Sequence, residues 1–166
     1  MNCKKCGREM NDQDLFCPSC GTKQVVIYRR VFTPSRVNER EFIDGINQWF
    51  VDNPRVANVK CNFNLKTSMG MFVNKYKLKE FVIEFEVLDG INTYQYGIAK
   101  ESSTALRAKN PRGLVDKWSK NNPEATVITW SGGTHARGSS SSLAFGGIGA
   151  CNRMTEYILY KIPRSK

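Results

Sequence analysis

The stretch Val59-Lys60-Cys61-Asn62-Phe63-Asn64-Leu65-Lys66 sets Val59, Cys61, Phe63 and Leu65 on one side and Lys60, Asn62, Asn64 and Lys66 on the other. Successive side chains of an extended chain point to opposite faces, so this segment reads as a half-buried β-strand. The pattern returns downstream, where Phe81, Ile83, Phe85 and Val87 alternate against Glu80, Glu84 and Glu86. Asp89-Gly90 then supplies turn chemistry before a third extended run from about Thr93 to Lys100, which predicts a hairpin of antiparallel neighbours across that dipeptide.

Working outward, Asn38 followed by Glu41 has the form of a capping box, and Phe42, Ile43, Ile46, Trp49 and Phe50 recur at helical spacing until Asn53-Pro54. A second helix is expected with Asn110 as cap, Pro111 at its first position, Leu114, Val115 and Trp118 on one face and Asn122-Pro123 as its stop, and a shorter helical turn around Ser103 to Ala108. Two further runs rich in β-formers, Thr126 to Trp130 and Met154 to Ile162, flank Ser131 to Gly149, which holds six Gly and five Ser in 19 residues and reads as a loop. No internal repeat stands out.

The chain has 166 residues and a formal net charge of +10, a length that suits one globular core with a small appendage and a charge that favours a polyanionic partner. There is no run of about 18 apolar residues and no apolar stretch behind the positive N-terminus, so a soluble, cytoplasmic protein with reduced thiols is expected. The appendage is the segment 1–24. It contains four of the six cysteines, as Cys3-x-x-Cys6 and Cys17-x-x-Cys20, and too few other large apolar side chains to offset the entropy of ordering a fold alone.

Zn²⁺ takes four soft or borderline ligands in a tetrahedron, and each Cys-x-x-Cys offers two thiolates on one tight turn. Gly7 and Gly21 each follow the second cysteine of a pair, where a glycine lets the chain turn with its amides directed at sulfur. Two disulfides, a redox pair or an iron site are the other readings of this spacing. The run Cys3-Lys4-Lys5-Cys6-Gly7 through Leu15-Phe16-Cys17-Pro18-Ser19-Cys20-Gly21 resembles the short zinc ribbon at the N-terminus of many bacterial proteins. That resemblance covers about residues 1–22. It implies one structural Zn²⁺ at Cys3, Cys6, Cys17 and Cys20, held by two knuckles on a small β-hairpin framework.

The expected architecture is therefore α+β: a zinc ribbon over residues 1–24, then a domain over 25–166 in which a mostly antiparallel sheet packs on two helices. The α-β-β-β-α order of that domain resembles double-stranded-RNA-binding domains, although the later strands and the glycine-rich stretch depart from that module.

For the main domain, the residues favour binding over catalysis. There is no Gly-x-Ser-x-Gly elbow, no His-Glu-x-x-His helix and no Walker-type phosphate loop; the one histidine, His135, stands beside Arg137 in the 131–149 loop. That loop is a candidate anion site, because consecutive glycines expose backbone N–H groups to a phosphate, and it carries the alternative reading of an enzyme. Cys61 reads as a small core residue, with a reactive thiol as the alternative, and Trp49 and Trp118 read as core rather than base-stacking platforms.

Residues 1–24 set four cations against three anions, so +9 belongs to the main domain. Lys60 and Lys66 are expected beside Glu80, Glu84 and Glu86. The excess charge lies in Arg29, Arg30, Arg36 and Arg40 before the first helix, and in Arg107, Lys109, Arg112, Lys117 and Lys120 around the second. The leading expectation is a non-catalytic adaptor engaging RNA, DNA or a ribonucleoprotein through these clusters; the alternative is a protein-interaction module without nucleic acid.

Overall fold

The structure, a computed structural model, describes residues 2–3, 5–11, 14, 16–23, 25–34, 37–69, 74–103, 112–135 and 153–165. It is α+β, with two three-stranded antiparallel sheets and two helices. In chain order these are β1 (Tyr28–Phe32), α1 (Glu39–Asp52), β2 (Val56–Met69), β3 (Asn74–Val87), β4 (Tyr94–Ser103), α2 (Arg112–Asn121), β5 (Thr126–His135) and β6 (Arg153–Pro163). The first sheet has the order β1-β3-β2 and the second β4-β6-β5. Among the described residues no helix is long and apolar enough to cross a membrane.

The capping box expected at α1 is present: the Asn38 side chain accepts from the Glu41 amide at 3.0 Å, and the Glu41 carboxylate accepts from the Asn38 amide at 3.3 Å. Both helices finish on the asparagine of their Asn-Pro pair. The Asn53 side-chain amide donates to the Trp49 carbonyl, beside the Asn53 backbone amide, and the Asn122 side-chain amide to the Trp118 carbonyl, each side-chain bond at 2.8 Å.

Phe42, Ile43, Ile46 and Phe50 of α1 enter a core with Phe63 of β2 and Phe81, Ile83 and Phe85 of β3, closed from the second sheet by Tyr96, Ile98, Tyr157 and Leu159. A second, smaller core lies on the other face of β6, where Ile158 and Tyr160 meet Val115 and Trp118 of α2. The central strand β6 is thus buried on both sides, with Met154 through Leu159 all inaccessible or nearly so. Trp118 is core as expected, and Trp49 is half-buried against the main core.

Three expectations need correction. The hairpin across Asp89-Gly90 does not form, because β3 already has β1 and β2 as neighbours and β4 pairs with β6 in the other sheet. The buried Asn92 turns the chain away instead: its side chain donates to the Val56 carbonyl at 2.7 Å and its amide to the Pro54 carbonyl at 2.8 Å. The one sheet is therefore two, and the three consecutive strands of an RNA-binding meander are absent. The glycine-rich stretch begins as strand rather than loop, since Ser131–His135 continue β5 against Tyr157–Arg153. Residues 136–149 and the helical turn expected at 104–108 lie outside the described residues, as does the Asn110-Pro111 cap.

Lys60 faces Glu84 across the β2–β3 ladder, as expected, whereas Lys66 faces Lys77. The register shifts between Asn64 and Leu65, which leaves Lys79 as the extra residue; the glutamates pair with Ala57, Lys60 and Asn64, so none is opposite Lys66.

Candidate metal centre

Two turns of the same construction build the N-terminal segment. In the first, the Gly7 amide donates to the Cys3 carbonyl at 2.9 Å and the Cys3 amide to the Arg8 carbonyl at 2.8 Å, inside a bridge between Asn2 and Glu9. In the second, Gly21 donates to Cys17 at 2.8 Å and Cys17 to Thr22 at 2.9 Å, inside a bridge between Phe16 and Lys23. Every position of the first recurs 14 residues later, from Cys3 to Cys17 and from Glu9 to Lys23. The sequence carries this duplication as Cys-x-x-Cys-Gly written twice, a signal too short to register as a repeat along the whole chain. Gly7 at φ 72° and Gly21 at φ 66° occupy the left-handed region in which a Cβ is strained.

The four sulfurs of Cys3, Cys6, Cys17 and Cys20 lie within 4.8 Å of one another. Across the two turns Cys3 Sγ is 3.6 Å from Cys20 Sγ, and Cys6 Sγ is 3.6 Å from Cys17 Sγ. A disulfide needs about 2.05 Å, so neither of these sulfur pairs is bonded. A tetrahedron with metal–sulfur bonds of about 2.3 Å has edges of about 3.8 Å, which these spacings fit. The set can hold a metal ion, and among the described residues it is the group of His, Cys, Asp or Glu side chains close enough to do so. Cys3 and Cys17 are buried with Met10 while Cys6 is exposed, and Arg8 Nη1 donates to Ser19 Oγ at 3.2 Å from one turn to the other.

Local hydrogen bonds and neighbouring sulfurs set the acidities of Cys3, Cys6 and Cys20 apart. The Thr22 hydroxyl, 3.2 Å from Cys20 Sγ, and then the Thr22 amide draw the Cys20 thiol down to about 6. Backbone amides of Cys6 and Lys5 lower Cys3. The Arg8 amide pulls Cys6 down, but the three neighbouring sulfurs together outweigh it and push it up to about 12. A cation between the sulfurs would favour the thiolate of Cys6, and a metal ion can take that place.

Among the described residues, the other expected site residues fall on α2 and at the end of β5. Lys117 and Lys120 are exposed on α2 beside Asp116; Arg112 begins that helix, while Arg107, Lys109 and Arg137 lie outside the described residues. His135 is the last residue of β5, paired in register with Arg153. Cys61 is half-buried beside the main core, and burial pushes its thiol up to about 12, the state of an inert packing residue. Cys151 lies outside the described residues.

Two polar groups in the core escaped the sequence reading. Tyr157 Oη donates to Glu39 Oε1 and accepts from the Leu78 amide at 3.1 Å, and Lys100 Nζ pairs with Glu39 Oε2, joining α1 to both sheets. Burial alone would raise the Glu39 carboxyl, yet the bonds from Lys100, Tyr157 and Leu78 together hold it below its ordinary value. Glu156, by contrast, is fully buried with neither carboxylate oxygen partnered among the described residues, and desolvation raises it to about 7. Its signal was the lone acid in Met154-Thr155-Glu156-Tyr157-Ile158, which alternation puts on the Ile158 face.

Comparison with protein-family models, curated proteins and solved structures finds no match to the chain.

Proposed function

We propose that this chain is a zinc-bearing, non-catalytic binding protein in which one Zn²⁺ at Cys3, Cys6, Cys17 and Cys20 orders a small ribbon ahead of an α+β recognition domain. The observation that carries this reading is the four sulfurs converging within 4.8 Å of one another from two equivalent turns, with the two cross-turn spacings of 3.6 Å near the edge of a Zn–S tetrahedron. Cys₄ sites of closed coordination are structural: with all four positions taken by protein there is no place for a water or substrate on the metal. The resemblance of residues 1–22 to bacterial zinc ribbons supports the same metal and role. Elemental analysis of freshly reduced protein should return one zinc per chain; less than half an equivalent overturns the reading.

The partner of the α+β domain is RNA, DNA or a ribonucleoprotein, held mainly through phosphate. Support comes from the +9 charge of this domain and from Lys117 and Lys120, both exposed on the outer side of α2 while Val115 and Trp118 anchor the helix to β6. Such contacts release counterions, so affinity should fall steeply with salt, and Lys117→Ala with Lys120→Ala should flatten the log–log salt slope by roughly two, about 0.9 per lost contact. Absence of any retention of RNA or DNA at low ionic strength would discard the nucleic-acid partner while leaving the zinc reading intact.

A further inference from the structure

Four strand edges bound the two sheets, and three of them carry a device that discourages the addition of another strand. The outer edge of β4 is capped by α1, where Asn47 Oδ1 accepts from the Ile98 amide at 2.7 Å and Asn47 Nδ2 donates to the Ile98 carbonyl at 3.0 Å, the two bonds a neighbouring strand would make. The edge of β2 is broken near Asn58, at φ 50°, where the register shifts between Ala57 and Lys60. The edge of β5 is broken between Val127 and Thr129, with Ile128 as the extra residue. Bulges and covering elements are the ordinary means of closing a sheet edge.

Among the described residues, strand β1 has neither. Its five residues pair regularly with β3 from Tyr28↔Phe85 to Phe32↔Phe81, and Tyr28, Arg29, Arg30 and Val31 are exposed. Among the described residues no other backbone hydrogen bond reaches Tyr28–Phe32. The Arg30 guanidinium stands 4.9 Å from the Trp49 ring centroid and 5.1 Å from that of Phe32, held between two rings with no carboxylate partner among the described residues. An arginine fixed this way presents N–H groups in a plane suited to a carboxylate.

We propose that β1 takes up an extended acidic segment of a partner protein as a fourth strand of the first sheet. A second copy of this chain does not fit. Antiparallel self-pairing about Arg30 sets Arg30 against Arg30, and a shift of one residue sets Arg29 against Arg30 or Arg30 against Val31 with the arginines still adjacent. Like charges directly opposite destabilise a strand pair. Nucleic acid is disfavoured here because a strand edge presents donors and acceptors in alternation, and a phosphodiester backbone meets only the donors. A peptide strand meets both. The charges that repel a copy thus select a ligand with two adjacent acids opposite Arg29 and Arg30, flanked by β-branched residues against Val31 and Tyr28.

The test uses the full chain in its metal-bound form and a blocked peptide, Thr-Val-Glu-Glu-Val-Thr, followed through the backbone amide signals of β1. Saturable binding is expected. Methylating alternate peptide amides should cost at least tenfold in affinity for one set and little for the other, because only every second amide of an added strand faces β1. Arg30→Glu should weaken binding at least tenfold, and a peptide in which only one of the two glutamates, the one opposite position 30, is replaced by Lys should recover it; Lys117→Ala with Lys120→Ala should leave it unchanged. No binding at millimolar peptide, equal binding of both methylated sets, preferential shifts of β1 by oligouridylate, or self-association abolished by Arg30→Glu would each overturn the proposal.

Discussion

Among the described residues, the segment 2–23 buries Cys3, Met10 and Cys17, whereas the α+β domain buries a layered core of aromatic and branched side chains on both faces of β6. The first unit has hydrogen-bonded turns but no apolar mass to hold them, so its order depends on what the sulfurs bind. The second owes nothing to a metal. They meet at the exposed Lys23–Asp89 ion pair, which solvent screens and side-chain entropy opposes, so it couples the two segments only weakly. Two sources of stability in one chain predict two independent transitions.

The largest effect should come from removing the metal. Structural zinc in small modules contributes on the order of 10–16 kcal/mol of apparent binding free energy, so chelation should abolish the dispersed amide signals of residues 2–23 and leave those of β2, β3 and β6 in place. Loss of both sets together would break the two-unit picture. The reciprocal experiment is Phe81→Ala. This ring is fully buried between α1 and the first sheet, and its removal should cost about 3–5 kcal/mol of domain stability in denaturant titration without changing metal stoichiometry.

Glu156 sharpens the contrast through pH. Its folded value near 7 lies above that of an unfolded carboxyl near 4.5, so the folded state binds the extra proton. Stability is therefore highest below about 4.5 as far as this group is concerned, declines as pH rises through 7, and stays reduced above. Glu156→Gln should remove that slope, with a gain on the order of 1–2 kcal/mol at pH 8 that disappears at pH 4.5. An unchanged slope in the variant would show that another group titrates. The smallest effects are expected at the knuckles: Gly7→Ala and Gly21→Ala meet no steric obstacle but force a positive φ, at about 1 kcal/mol or roughly fivefold in metal affinity. Because the two turns match, the two losses should be equal; a marked inequality would show that one turn is read by something besides the metal.

Local chemistry made part of this structure legible. Asn38 and Glu41 sit three apart and fold on themselves, Phe63 and Phe81 declare their faces by alternation, and Cys-x-x-Cys brings its own geometry. What failed depended on partners distant in sequence. Nothing in Asp89-Gly90 reveals that β3 is already flanked by β1, so a turn signal was spent on a passage between sheets. Gly132 and Gly133 looked like loop because glycine is common there, yet Gly132 sits where a Cβ would strike the Glu156 carboxylate and the Thr155 carbonyl, and close strand contact is itself a reason for glycine. Likewise β6, buried on both faces, shows a nearly continuous apolar run instead of alternation.

That placement of β6 has a consequence for synthesis. The strand between β4 and β5 is the last of the six to leave the ribosome, while β1, α1, β2 and β3 emerge consecutively and already contain every pairing of the first sheet. Half of the domain can therefore assemble while the other half waits for its central strand. During that interval β4 can lean on α1, because the Asn47 side chain offers the Ile98 backbone its two hydrogen bonds before any strand does. The nascent chain is thereby spared an open β4 edge on the side facing α1.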